Sequence, residues 1–198
     1  MLSNPMSPVL AVLVVLAVAA ILARRWIYGM NEINASDVVP FLRIVCVEDM
    51  RDLFHPGADE LHRQNHSLQE FRMIQWKRVR LGLQYVGDLA FNARILQAWS
   101  RTERRRGDLS PQLEKITAEL MTVCLQCRAT SFFVRFHLHL ALVKMALLPF
   151  LAPPDFNRLM RHGSYDLIGF YEKVRAKAEE FGLAYNNEQY YEKLMQVL

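Results

Sequence analysis

The sequence predicts an all-α fold in which one N-terminal transmembrane helix precedes a helical bundle built on a long antiparallel helix hairpin. Three observations lead to this prediction. An apolar run without charges lies near the N-terminus, glycine and proline number only 8 each among 198 residues, and helix-capping signals recur through the rest of the chain. No stretch alternates apolar and polar residues with the period of two typical of strands, so we expect no sheet.

The predicted membrane anchor occupies residues 9–28. Residues 9–23 are apolar throughout, and no charged side chain occurs before Arg24. This run rises only about 22 Å as a helix, which is short of a hydrocarbon core of about 30 Å. Trp26 and Tyr28 extend it with aromatic side chains suited to the membrane interface, so that the whole segment reaches the length of a span.

A cleaved signal peptide and a buried core helix are the alternatives to an anchor. Signal peptides begin with basic residues, which this chain lacks, although the small residues Ala17, Ala19 and Ala23 could form a cleavage site. A core helix would need burial on every side, because the run has no polar face. The anchor is the preferred interpretation.

The orientation follows from the basic pair Arg24 and Arg25, because positive residues beside a span stay in the cytoplasm. We therefore expect a protein of the plasma or inner membrane with its N-terminus outside. The anchor is residues 1–28, the linker 29–35 and the cytoplasmic helical domain 36–198. Three cysteines form no even-numbered disulfide framework, which agrees with a reducing compartment.

Capping residues predict the helix boundaries of the domain. Ser36 is the expected cap of a helix that ends near Phe54. Ser67 and Glu70 form a capping box for a long helix that Gly107 closes. Its predicted inward stripe is Leu68, Phe71, Gln75, Val79, Gly82, Val86, Leu89, Ala93 and Leu96.

A second long helix is predicted to begin at Ser110 and Pro111 and to reach Leu148. The short connection makes the two long helices antiparallel neighbours. Gly82 is expected where the partner backbone comes closest. Shorter helices are expected at 58–66, at 154–162, from Ser164 to Phe181 with Gly182 as the stop, and from Asn186 to the C-terminus.

Residues 129–151 are apolar enough for a second transmembrane span to be considered. The segment contains Arg135 and Lys144 together with His137 and His139. Two full charges near the middle of a span are costly, so a buried central helix of the bundle is the preferred interpretation.

Asp59, His62 and His66 are the best candidates for a metal site. Spacings of three and four residues place them on one face of a helix, and two imidazoles with a carboxylate suit zinc or iron. The zincin motif is absent, because Arg63 stands where that motif has glutamate. Histidines on a helix surface near a turn are the alternative interpretation.

The pair Cys124 and Cys127 is predicted to belong to the core. Reactive CxxC pairs begin a helix after a strand, whereas this pair lies more than ten residues inside a predicted helix. Zinc would need a further pair, and Cys46 alone remains.

One side of the first long helix carries arginines and a tryptophan, and we call these residues the basic face. The side chains predicted to point outward there and to contact a partner or lipid are Arg72, Trp76, Arg80, Arg94 and Arg101. Arginine and tryptophan four residues apart can form a cation–π contact. A face left in solvent, or one covered by the acidic segment 36–66, is the alternative interpretation.

These patterns favour a membrane-anchored, non-catalytic module for protein interaction or scaffolding. No signature of a hydrolase, a P-loop or a dinucleotide-binding site occurs, and we expect no cofactor. The expected partners are the bilayer, through residues 9–28, and a protein, whereas nucleic acid is not expected. The alternative is a membrane-bound metalloenzyme or metal-binding protein that uses Asp59, His62 and His66.

Overall fold

A computed structural model describes residues 38–107, 109–147 and 166–184, together with 192, 194 and 196–198. Every regular element among them is helical, which confirms the all-α prediction for the described part of the chain. A 3-10 turn at Val39–Phe41 precedes five helices. These are α1 (Val47–Leu53), α2 (Pro56–Asn65), α3 (Leu68–Arg106), α4 (Pro111–Leu147) and α5 (Leu167–Ala184). The predicted anchor at 1–28, the linker at 29–35 and the short helix at 154–162 lie outside the described residues.

The predicted hairpin is present, and local chemistry fixes its ends. The Ser67 hydroxyl accepts a hydrogen bond from the Glu70 amide, and the Glu70 carboxylate accepts one from the Ser67 amide, so α3 begins with a complete capping box. Gly107 ends α3 with a φ of 78°, a left-handed conformation that glycine adopts without steric cost. Ser110 caps α4 by accepting from the Leu113 amide at 3.3 Å.

The core lies where α3 packs along α4 and α4 packs along α5. The predicted inward stripe of α3 is buried except for Leu68, whose side chain is exposed, so that part of the prediction is wrong. Leu68 is the first residue of the helix. Trp99 of α3 packs edge-on against Phe181 of α5, with ring centroids 4.6 Å apart, and this contact joins α5 to the hairpin of α3 and α4.

Gly82 is buried in α3, as predicted, but its nearest neighbour is a side chain rather than the backbone of α4. A Cβ atom at this position would lie 2.9 Å from Cζ of Phe54 and 3.5 Å from Cδ1 of Leu138. Phe54 follows α1 and is itself buried. The glycine therefore provides the space in which the Phe54 ring contacts the hairpin.

The single helix predicted from Ser36 to Phe54 is wrong. The chain leaves the 3-10 turn at Leu42 in an extended conformation and becomes helical again at Val47. We call the extended residues 42–46 the strap, because they are held against α3. Pro40 is accommodated in the 3-10 turn, and beyond it the Arg43 backbone pairs with a side chain of α3 instead of continuing a helix.

Asn92 of α3 holds the strap. Its Oδ1 accepts from the Arg43 amide at 2.8 Å, and its Nδ2 donates to the Arg43 carbonyl at 2.7 Å and to the Tyr171 hydroxyl at 3.1 Å. Asn92 and Tyr171 are fully buried. Burial raises the pKa of Tyr171 to about 12, so the phenol stays protonated at neutral pH. One side chain thus joins the strap, α3 and α5.

The side chain of Arg43 adds two contacts with α3. Its guanidinium lies 2.5 Å from the Asp88 carboxylate and 4.1 Å from the centre of the Phe91 ring. In this ion pair the 36–66 segment contributes the base and α3 the acid. Whether the acidic segment covers the basic face stays a prediction.

The last described helix, α5, begins after Asp166, whose carboxylate accepts from the Gly169 amide at 2.8 Å. The predicted cap, Ser164, lies outside the described residues. Gly182 does not stop the helix, because α5 continues to Ala184 and buries Gly182.

Candidate functional site

The basic face contains the cation–π contact that its spacing predicts. The guanidinium carbon of Arg80 lies 5.0 Å from the centre of the Trp76 ring. Arg80 is exposed, Trp76 and Arg72 are half-buried, and Val79 and Gly82 in the same part of α3 are buried. The N-terminal half of the basic face therefore presents a cation held in place by an aromatic ring.

The C-terminal half of the basic face lies near an arginine of α4, Arg128, that sequence reasoning missed. Arg128 of α4 is buried and donates from Nη1 to the amide oxygen of Gln97, which lies between Arg94 and Arg101 on α3. Burial, and then the charges of Arg94 and Arg101, lower the pKa of Arg128 to about 10. Arg128 nevertheless stays protonated at neutral pH, so positive charge is concentrated where α3 and α4 meet.

The predicted metal-binding residues are only partly described. His62 lies in the last turn of α2 and His66 directly follows that helix, with ring centroids 5.8 Å apart. Asp59 lies in α2, but its side chain is outside the description. Among the described side chains, no group of three histidines, cysteines, aspartates or glutamates could hold a metal ion. The metal site at Asp59, His62 and His66 stays a prediction.

Cys124 and Cys127 lie in the core, as predicted. Both are buried, and Cys46 is half-buried. Burial raises the pKa of Cys127 to about 12 and that of Cys124 well above its usual range. Both thiols are therefore protonated at neutral pH, and neither has the thiolate character that redox catalysis requires.

The outer side of α4 carries an exposed apolar surface that sequence reasoning missed, and we call it the aromatic face. It consists of Leu125, Phe132, Phe136, Leu140, Val143 and Leu147, which are between 37% and 72% exposed. Their spacings of three, four and seven residues place them within an arc of about 80° on the helix. The core residues Cys127, Val134 and Leu138 lie on the opposite side.

The aromatic face corrects the prediction that residues 129–151 form a buried central helix of the bundle, because much of the described part of that segment is exposed. The helix is apolar on two opposite sides, of which only one packs in the bundle. None of the helices that the model describes is both long enough and apolar enough to cross a membrane, and this includes the described part of 129–151.

Comparison with known proteins finds no match to a protein-family model, to a curated protein or to a solved structure. The functional argument therefore rests on the described surfaces alone.

Proposed function

We propose that this chain is a non-catalytic, membrane-tethered helical module that binds an acidic protein surface through its basic face. The observation that carries the proposal is the stack of Arg80 on Trp76. Holding the cation in place before binding lowers the entropy lost when a partner docks, and aromatic residues and arginine dominate the energetics of protein interfaces. The concentration of charge around Arg128 extends the same positive field along α3.

The tether is the second part of the proposal. The apolar segment 9–28 is proposed as an uncleaved anchor in the plasma or inner membrane, with the N-terminus outside and the bundle in the cytoplasm. Its support is the sequence: an apolar run, the basic pair Arg24 and Arg25 that follows it, and aromatic residues at its end. The scaffolding role requires no cofactor.

The partner is tested by photo-crosslinking in intact membranes. A photoreactive residue at Met73, which is exposed beside Arg72 and Trp76, should form an adduct with one membrane-associated protein. The variant carrying Arg72→Glu and Arg80→Glu should lower adduct formation by at least about tenfold, because like charges across an interface repel.

The matched control for that experiment is Lys115→Glu, an exposed charge in the first turn of α4, which should leave the adduct intact. A photoreactive residue at the exposed Ala176 of α5 should give none. An adduct that survives reversal of both arginines would contradict the proposed interface.

The tether is tested with reporters fused after Leu198. A reporter that is active only in the cytoplasm should be active, and one that is active only outside the membrane should be silent, because the basic pair follows the span. Activity of the outside reporter would reverse the topology. A mature protein that lacks residues 1–23 would show that the segment is a signal peptide.

A further inference from the structure

The aromatic face leaves six large apolar side chains of one helix in contact with solvent. Monomeric soluble proteins rarely expose a contiguous apolar surface of this kind, and such surfaces mark contacts with proteins or membranes. From Leu125 to Leu147 the face runs about 33 Å along α4. We propose that it lies on the surface of an anionic lipid bilayer, parallel to the membrane plane; the inference rests on the proposed tether.

The charged residues beside the aromatic face indicate which kind of surface binds there. At about 100° per residue, Arg135 and His139 flank the face on one side and Lys144 and His137 flank it on the other. All four side chains are exposed. Residues 120–147 contain no aspartate or glutamate. A helix with phenylalanine and leucine on one face and basic residues beside it is typical of segments that rest at an anionic membrane interface.

A second copy of the chain is a poorer occupant. Two aromatic faces packed together would bring Arg135 and Lys144 of each copy close to the same basic residues of the other, with no acidic residue from 120–147 to compensate. Anionic headgroups supply the missing negative charge on both sides of the face, while the acyl region accepts the phenylalanine rings.

The length of the connecting chain allows this contact. Nine residues, 29–37, lie between Tyr28, at the end of the proposed anchor, and Val38, the first described residue, and the ten Cα–Cα steps span at most about 36 Å. The bundle is thus held within a few nanometres of the bilayer. Because the anchor keeps the bundle near the bilayer, the effective concentration of membrane surface is high, and even a weak affinity of the aromatic face for lipid is enough for docking.

The test uses the full chain with Cys46→Ser, which removes the one cysteine that is not buried. An environment-sensitive fluorophore is attached through Phe136→Cys or, as the control, through Ala176→Cys on α5. Each protein is reconstituted into phosphatidylcholine vesicles with or without phosphatidylserine, and a quencher is attached to the lipid acyl chains. Vesicle flotation measures membrane association separately.

We expect strong quenching at position 136 in vesicles that contain phosphatidylserine, weaker quenching in phosphatidylcholine alone, and none at position 176. Adding Phe132→Ser and Leu140→Ser to the 136-labelled chain should lower the docking constant at least about tenfold, because two large apolar side chains no longer enter the lipid. Thermal melts should be unchanged, since both residues are exposed.

Each other outcome has a defined meaning. A chain that floats with vesicles but shows no quenching at position 136 overturns the docking and leaves the tether intact. A chain that floats only with anionic vesicles and is released by high salt overturns the tether and supports the docking. A chain that never floats overturns both. Disulfide-linked dimers through unlabelled position 136, without quenching, overturn the lipid assignment in favour of a second copy.

Discussion

Replacing Gly82 by leucine should lower the free energy of unfolding by about 1–3 kcal/mol, because the new side chain must enter space that the Phe54 ring occupies. A Cβ atom alone would approach that ring to 2.9 Å. Phe54 is buried and cannot turn into solvent without losing its own contacts. Thermal or denaturant unfolding of the full chain measures the change.

Gly87 provides the matched control in the same helix. Apart from its chain neighbours and the backbone of its own helix turn, nothing lies within 4 Å of a Cβ atom built there, so Gly87→Leu should stabilise the protein by up to about 1 kcal/mol through helix propensity. The two substitutions are chemically identical and have opposite expected signs. A raised melting temperature for Gly82→Leu would mean that α3 is rotated from the orientation described, and the basic face would then have to be reassigned.

Asn92→Leu should cost about 2–4 kcal/mol, because it removes the partner of three polar groups at once. The Arg43 amide, the Arg43 carbonyl and the Tyr171 hydroxyl all depend on this one amide. Leucine keeps the branched arrangement of side-chain heavy atoms and leaves no cavity, so the lost hydrogen bonds dominate the effect. Equilibrium unfolding measures the cost, and hydrogen exchange at residues 42–46 should show a strap that opens more readily.

Tyr171→Phe is the control for Asn92→Leu, since it removes one of the three hydrogen bonds of Asn92 and keeps the aromatic ring in the core. We expect a loss of about 1 kcal/mol and an unchanged strap. If Asn92→Leu and Tyr171→Phe cost the same, the hydrogen bonds to Arg43 contribute nothing, and the strap must be held by its side chains alone.

The hairpin was predictable because its signals are local. Ser67 with Glu70, Gly107, and Ser110 with Pro111 act within four residues, and the structure bears out each of them. The buried stripes were predictable for a related reason, since the helical period that sets them is the same throughout a chain. Only Leu68, at the very start of α3, departs from its stripe.

The strap and the exposed surface were not predictable by the same means. The strap depends on Asn92, which is 49 residues from Arg43, and nothing in residues 36–54 indicates that contact. The aromatic face was not predictable for a different reason, because an apolar stripe has the same period whether it faces protein or solvent. Arg128 was not predictable because its burial depends on Gln97, which is 31 residues away, and no local pattern indicates that contact.

The attachment of the strap also has a mechanical consequence. The N-terminal chain reaches the bundle along the side of the 39-residue helix α3, at Asp88, Phe91 and Asn92, instead of at the end of a helix. A pull on that chain that reaches the strap would load both backbone hydrogen bonds of Arg43, its ion pair and its ring contact together. Bonds loaded together share the force, so the strap delivers tension to the middle of α3 rather than to one of its ends.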